Sequence, residues 1–197
     1  MPHGDIYIPE EVVDKPTFYA NLLESLQPLL EDQAHSNWIS NLSNASALMY
    51  HHFMAFGGDR AFGRTEEGDP IVNWCGFYIH ARFFPLLSGS PDLLLLGPFA
   101  GRPACQQINP QAGKGVCADA FVQSSPMIVK DVDAYPGHIA CDGETKSEIV
   151  LPLIDSKGRT VGVLDLDSVR LGTFGDEDRV GLEQVGKLLG SSCDFGN

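Results

Sequence analysis

The chain has 197 residues, of which 43% are hydrophobic and 20% are charged. This composition supports one sizeable core, so we expect a single domain over residues 1–197 with its core at about 17–190. The formal net charge of -13 argues against binding to a nucleic-acid backbone or an anionic membrane, because both require a basic surface. A small zwitterion or a protein is a better match as partner.

The termini and cysteines indicate the cellular compartment. The N-terminus, Met-Pro-His-Gly-Asp, lacks a basic segment followed by an apolar run, and such a run is what an export signal needs. We therefore expect a cytoplasmic protein. Five cysteines are an odd number, and a fixed disulfide framework is not expected in a reducing cytosol. The sequence has no Cys-x-x-Cys pair and no suitably spaced His, which argues against a structural zinc site.

Two helices are predicted at the start of the chain. Apolar residues at spacings of three and four predict a helix over 14–30, which Pro28 should kink or end. The same periodicity from Trp38 to Phe53 predicts a second helix that stops at the glycines after it. The polar, glycine-rich segment 57–70 then predicts a long surface loop that could cover a site.

A buried strand is predicted next, over 71–79, where β-branched and aromatic residues alternate little with polar ones. It carries Trp74, Phe77 and Tyr78. Two interpretations remain open: all three rings are ordinary core residues, or Trp74 forms the wall of a small-molecule pocket. The segment 93–96 is predicted to pair with this strand as a hairpin.

The glycine-rich segment before Cys117 predicts a loop that opens a helix, with Cys117 in the first turn. There the unpaired N–H groups and the positive dipole end favour a thiolate. A short strand at 127–129 and a polar loop at 131–143, which carries His138 and Cys141, follow this helix.

A hairpin is predicted from 148–153 and 160–167, with a turn between them. Because side chains alternate along a strand, Val161, Val163, Asp165 and Asp167 should share one face. Two carboxylates therefore lie on the same strand face as two valines that are expected in the core. They are either solvated at a strand end or gathered in a pocket, and in a pocket burial would raise their pKa values.

A closing helix is predicted over 176–189, with Val180, Leu182 and Val185 on its buried face and Gly190 as its cap. The order of the elements predicts an α+β fold in which helices cover an antiparallel sheet.

Six stretches, in one order, carry a resemblance to a known family. They are NWCGFY at 73–78, GPFAGRPAC at 97–105, GKGVC at 113–117, PGHIACD at 136–142, SEIVLP at 147–152 and GVLDLDS at 162–168. Together they resemble the GAF-domain free methionine-(R)-sulfoxide reductases. The resemblance implies a GAF-like central antiparallel sheet of about six strands, covered by N- and C-terminal helices. It also implies that the first and last helices can pair two chains in a homodimer.

The resemblance also implies roles for the thiols. Cys141 would attack the substrate, Cys117 would resolve the resulting sulfenic acid, and Cys105 would be a second thiol able to form a disulfide with Cys117. The segment between Cys105 and Cys117 is about two residues longer than the family pattern.

Five further residues are expected to bind substrate; they are Trp74, Tyr78, Glu148, Asp165 and Asp167. Three carboxyls close together cannot all ionise cheaply, so one should stay protonated and supply the proton that the departing sulfoxide oxygen needs. The remaining charge could hold the α-ammonium of the free amino acid. No metal or bound cofactor is expected, and thioredoxin is the expected electron donor.

A sensor function is the alternative, because GAF-type domains also bind small ligands or sense redox state without turnover. An acidic pocket is unsuitable for a phosphate-containing ligand such as a cyclic nucleotide, and a ligand sensor would not need three thiols. A redox sensor without turnover stays open.

Overall fold

The structure is a computed structural model that describes residues 6–31, 37–58, 61–84, 92–137 and 143–196. Within these ranges six strands form one sheet; they are β1 (Val72–His80), β2 (Leu94–Gly101), β3 (Gln107–Ile108), β4 (Met127–Val129), β5 (Ser147–Ile154) and β6 (Thr160–Ser168). All neighbours are antiparallel, in the order β3-β2-β1-β6-β5-β4. The predicted six-stranded antiparallel sheet is confirmed, and β1 and β6 form its centre.

Helices cover both faces of this sheet. They are α1 (Lys15–Leu30), α2 (Trp38–Ala55), α3 (Val116–Gln123) and α4 (Asp176–Ser192). The buried side chains of α1, α2 and α4 join one hydrophobic core with one face of the sheet, and those of α3 join a smaller core on the opposite face. The predicted α+β architecture is therefore confirmed.

The start of α1 follows from its sequence. The side chain of Asp14 accepts a hydrogen bond from the Thr17 backbone N–H at 2.9 Å, and the Thr17 hydroxyl accepts one from the Asp14 N–H at 3.3 Å. This reciprocal capping box satisfies two backbone donors that a helix start leaves unpaired. The helix runs through Pro28 and ends two residues later, at Leu30.

The end of α4 differs from the prediction. Gly190 was expected to cap the helix, but α4 continues through it to Ser192. A Cβ at Gly190 would clash with the carbonyl oxygen of Ile154 at the end of β5, so glycine is required for close packing on the sheet. Val180 was expected on the buried face and is 46% exposed. The next residue, Gly181, instead packs directly on the ring of Tyr19 in α1.

The two faces of β1 belong to different cores. Cys75 and Phe77 are buried in the core beneath α1, α2 and α4, whereas Trp74 and Tyr78 are buried in the core beneath α3. The expectation for β6 was wrong at one position. Val163 lies in the α3-side core as predicted, but Val161 packs in the other core, next to a register shift between β5 and β6 at Leu153 and Ile154.

The glycine-rich segment 57–70 is a loop, as predicted, although residues 59–60 lie outside the described residues. Its Phe62 is 1% exposed and packs against Phe18 and Phe53, on the side of α1 and α2. The described part of this loop therefore lies against the larger core and does not cover a site on the α3 side. None of the helices in the described ranges has the length and apolarity that crossing a membrane requires.

Two glycines of α4 give a matched test of this packing. We expect Gly190→Ala to lower the free energy of unfolding by about 1–3 kcal/mol, because the new Cβ meets backbone that cannot move freely. Gly186→Ala, on the same helix, adds a Cβ with nothing within 4 Å and should raise the free energy of unfolding by about 0.5–1 kcal/mol. Urea denaturation of both variants measures the difference, and equal stability of the two variants would contradict the packing described.

Candidate functional site

Three neighbouring strands place aromatic and acidic side chains in one row across the sheet. In the register, Trp74 of β1 lies opposite Asp167 of β6, and Asp167 lies opposite Glu148 of β5. In the next row, Gly76 lies opposite Asp165 and Asp165 opposite Val150. Directly opposed side chains on one face are about 5 Å apart at Cβ, so the register alone brings the three carboxyls together.

Helix α3 adds a thiol to the cluster of acids. Cys117 is the second residue of α3, as predicted, and its thiol lies 3.3 Å from Asp165 Oδ2 and 3.8 Å from Glu148 Oε1. The Sγ–H donates to these carboxylate oxygens. Cys117, Glu148 and Asp165 are each 5–6% exposed, whereas Asp167 is half-buried. The interpretation of Asp165 as a solvated strand end is therefore wrong.

Burial and repulsion set the protonation of the acids. Burial, followed by the charges of Asp165 and Asp167, raises the pKa of Glu148 well above its usual range. Burial also raises the pKa of Asp165 to about 7, although hydrogen bonds from Cys117 and Glu148 act in the opposite direction. Carboxyl groups in such an environment hold protons near neutral pH.

The surroundings of Cys117 oppose the thiolate that its position in the helix favours. Burial, followed by the charges of Asp165 and Glu148, raises the pKa of the Cys117 thiol well above its usual value. The helix N-terminus that was expected to favour a thiolate is outweighed, because desolvation and two nearby carboxyls both oppose a second negative charge. Cys117 is therefore a protonated thiol in this environment and a weak nucleophile.

An aromatic wall stands beside the acids. The ring of Trp74 stacks on Tyr78 at 5.9 Å between centroids and on Phe99 at 5.5 Å. Gly76 makes this arrangement possible, since a Cβ there would clash with both Trp74 and Phe99. The Tyr78 hydroxyl donates to the backbone carbonyl of Cys105 at 3.0 Å, which fixes the end of this wall to the segment that carries Cys105.

A cavity of about 160 Å³ lies between the acids, the wall and α3. Seven of the eight residues that the sequence proposed line it; they are Trp74, Tyr78, Cys105, Cys117, Glu148, Asp165 and Asp167. The eighth, Cys141, lies outside the described residues, as does His138. Two buried polar atoms at this cavity, Trp74 Nε1 and Asp165 Oδ1, have no hydrogen-bond partner. One is a donor and the other belongs to a carboxyl group, and both side chains line the cavity.

Comparisons with known proteins agree with this geometry. A family model described as a GAF domain matches residues 65–192. A free methionine-R-sulfoxide reductase of Saccharomyces cerevisiae is 40% identical over 98% of this chain and 95% of its own, and one of Escherichia coli is 36% identical over 88% and 87%. The X-ray structure of free methionine-R-sulfoxide reductase from Neisseria meningitidis in complex with its substrate has a TM-score of 0.75 and 32% identity, over 96% of this chain and 95% of that one. The chain belongs to the GAF-domain free methionine-(R)-sulfoxide reductase family.

The cysteines of this family member differ in state. Cys105 is disulfide-bonded, whereas Cys75, Cys117 and Cys193 are buried free thiols. A disulfide between Cys105 and Cys117, as the resemblance implied, is therefore absent from this structure. Cys75 faces the larger core, and Cys193 lies at the end of α4, so neither joins the cavity.

Sequence reasoning did not propose the other residues that line the cavity, among them Thr145 and Lys114. Among the described lining residues, Lys114 is the one with a cationic side chain, and its place between Gly113 and Gly115 in the loop before Cys117 was a signal that could have identified it. The loop is held in place by the buried Asp119. Its carboxylate accepts from the Gly113 N–H at 2.6 Å and from the Tyr135 hydroxyl at 2.8 Å.

The raised pKa of Asp165 predicts a pH dependence of stability. This carboxyl has an ordinary pKa of 3.8 and a folded one of about 7, so the folded state binds the proton more tightly than the unfolded state does. The resulting stabilisation is fully present below about pH 4 and is lost as pH rises through about 7. Each unit of difference is worth about 1.4 kcal/mol.

We therefore expect Asp165→Asn to become more stable relative to the wild type as pH rises from about 4 to about 7. Urea unfolding at a series of pH values measures this difference. Asp133→Asn is the matched control, since the Asp133 side chain is 73% exposed, and its difference from the wild type should stay nearly constant. A constant difference for Asp165→Asn as well would show that Asp165 is ionised in the folded protein.

Proposed function

We propose that this chain reduces free L-methionine-(R)-sulfoxide to methionine. The observation that carries the proposal is the cavity in which protonated carboxyls, a buried thiol and an indole wall meet. Relatives over nearly the full length of the chain are named free methionine-R-sulfoxide reductases, and the Neisseria meningitidis structure contains its substrate.

The cavity has groups for each part of a zwitterionic sulfoxide. An ionised carboxylate, such as that of the half-buried Asp167, binds the α-ammonium. Lys114, at the cavity, is the cation for the α-carboxylate. The Trp74 indole lies against the apolar methyl-sulfur end. A methionine sulfoxide residue within a peptide has no free α-ammonium and no free α-carboxylate, so this recognition selects the free amino acid.

The buried acids supply the proton. The oxygen of a sulfoxide leaves sulfur only when protonated, and Glu148 and Asp165 hold protons near neutral pH because their pKa values are raised. The Asp165 side chain lines the cavity, beside the position proposed for the substrate.

Cys141 is the proposed nucleophile, and the chain limits how far it can lie from the cavity. It is four residues after Gly137 and four before Thr145, so it is within about 14 Å of both along an extended chain. Thr145 lines the cavity, and Gly137 approaches the Gly113–Gly115 loop so closely that a Cβ there would clash with the Gly113 carbonyl. The thiolate attacks the sulfoxide sulfur and forms an S–S bond while the protonated oxygen leaves as water. A water molecule then attacks the Cys141 sulfur, the S–S bond breaks, and the products are methionine and a Cys141 sulfenic acid.

A second thiol then condenses with the sulfenic acid, which releases water and forms a disulfide. The resemblance gives this role to Cys117, but three observations favour Cys105. Cys117 is a free, protonated thiol, and Cys105 is disulfide-bonded. An ion pair of 2.7 Å between Arg102 and Glu144 also joins the segments that carry Cys105 and Cys141, each three residues from its cysteine.

Thioredoxin is the proposed electron donor, because a dithiol can return the two electrons by thiol–disulfide exchange. The chemistry needs no bound metal or organic cofactor. A coupled assay tests the proposal as a whole. Continuous oxidation of NADPH through thioredoxin reductase and thioredoxin with free methionine-(R)-sulfoxide is expected, whereas a redox sensor would stop after one equivalent.

The cysteine roles can be separated by substitution. We expect Cys141→Ser to abolish turnover, and Cys105→Ser to release about one equivalent of methionine and retain a sulfenic acid that dimedone labels. Cys117→Ser should still form the disulfide and give no lasting dimedone adduct. Mass spectrometry after a single turnover distinguishes these states. Labelling of Cys117→Ser and not of Cys105→Ser would assign the resolving role to Cys117, and full activity of Cys141→Ser would exclude the scheme.

The role of Lys114 predicts a substrate-dependent effect. We expect Lys114→Met to raise KM for the free amino acid about tenfold, since a charged hydrogen bond is worth about 1.5–3 kcal/mol, with a smaller change in kcat. The sulfoxide of methionine methyl ester, which lacks the carboxylate, should be much less affected. Lys130→Met is the control, because Lys130 is exposed and outside the cavity lining. Equal effects on both substrates would exclude contact between Lys114 and the carboxylate.

A further inference from the structure

The thiol and two of the acids also have the composition of a metal site. Cys117 Sγ and one carboxylate oxygen each of Glu148 and Asp165 all lie within 4.8 Å of one another. A thiolate with two carboxylates is a donor set that suits a thiophilic divalent cation. Ca²⁺ and Mg²⁺ prefer six or more oxygen ligands, and these three residues do not provide them.

The distances approach those of a tetrahedral zinc centre. With Zn–S of about 2.3 Å and Zn–O of about 2.1 Å, a tetrahedral S···O edge measures about 3.6 Å. The two S···O distances in the structure are 3.3 Å to Asp165 and 3.8 Å to Glu148, on either side of that value. Small side-chain adjustments would therefore bring the three atoms to zinc-binding geometry.

A second observation indicates that this cluster lacks a ligand. Asp165 is 5% exposed, and its Oδ1 has no hydrogen-bond partner while Oδ2 accepts from Cys117. A buried carboxylate oxygen without a partner is costly, and a cation held by both oxygens of the Asp165 carboxylate would remove that cost. The cavity beside the cluster gives a cation a route of entry and room for a water molecule as fourth ligand.

We propose that Cys117, Glu148 and Asp165 form a binding site for Zn²⁺ or a similar thiophilic cation, which occupies the cavity as an inhibitor. On binding, the Cys117 thiol and each protonated carboxyl lose a proton to solvent, three bonds to the metal form, and no group changes oxidation state. The dication offsets the repulsion among the resulting negative charges. Binding itself rests on this geometry alone, while inhibition of turnover also rests on the proposed function.

The test uses metal binding in the absence of turnover. Oxidised wild-type protein, without reductant, is titrated with Zn²⁺ by calorimetry in buffers of different protonation enthalpy, and with Co²⁺ by absorption spectroscopy. We expect one equivalent to bind with release of protons, and Co²⁺ to give a thiolate-to-cobalt charge-transfer band. Mg²⁺ should not compete. Failure of the protein to bind Zn²⁺ would overturn the proposal and leave the reductase activity, measured separately, untouched.

Three variants locate the metal. Cys117→Ser should lose the cobalt charge-transfer band and bind Zn²⁺ at least about 100-fold more weakly, since even groups that only orient a metal ligand are worth roughly 10–100-fold. Glu148→Gln should weaken binding but keep the band. This second variant tests the site even if the serine variant does not fold. Cys193→Ser, another buried free thiol, should bind as the wild type does. Unchanged binding by Cys117→Ser, or loss of the band in Cys193→Ser, would place the metal elsewhere and overturn the proposal.

Discussion

The site depends on one electrostatic constraint: two carboxyls and a thiol share a small volume from which water is nearly excluded. Charged groups of the same sign cannot be ionised together there without a large cost in free energy. Burial raises the pKa values of Glu148, Asp165 and Cys117, and nearby carboxylates raise those of Glu148 and Cys117 further. The protonated carboxyl groups beside the aromatic wall suit the cavity to a reaction in which an oxygen leaves as water.

The rest of the molecule keeps this unfavourable cluster together. The larger core on the opposite face, with α1, α2 and α4, stabilises the central strands β1 and β6 independently of the site. The acids are thus borne by strands whose register is already fixed by burial on that other face. Since a shift of one residue would exchange the two faces, the register that buries Leu164 and Leu166 also directs Asp165 and Asp167 into the cavity.

Protonation separates the roles of the thiols. Cys117 was expected to be activated by its helix terminus, yet its acidic surroundings keep it protonated. The same surroundings would favour a thiophilic dication, because its positive charge would replace protons that these groups hold as a result of burial and repulsion. The proposed reduction uses the protons of these acids, and metal binding would release them to solvent, so a bound metal would prevent the reduction. In the proposed reaction it is Cys105, outside the acidic cluster and disulfide-bonded, that forms the disulfide with Cys141.

The sequence alone predicted the helices and the β5–β6 hairpin, because periodicity and turn residues are local signals. The resemblance to a known family, and not periodicity, indicated that the thiols and acids share one pocket. The sequence also showed that Asp165 and Asp167 continue a face that starts as core. It did not show that Val161 leaves that face at a register shift, that Gly190 serves packing, that Lys114 reaches the cavity, or that Cys117 stays protonated. These features depend on which distant segments meet, and desolvation and charge repulsion act only once the tertiary structure has brought those segments together.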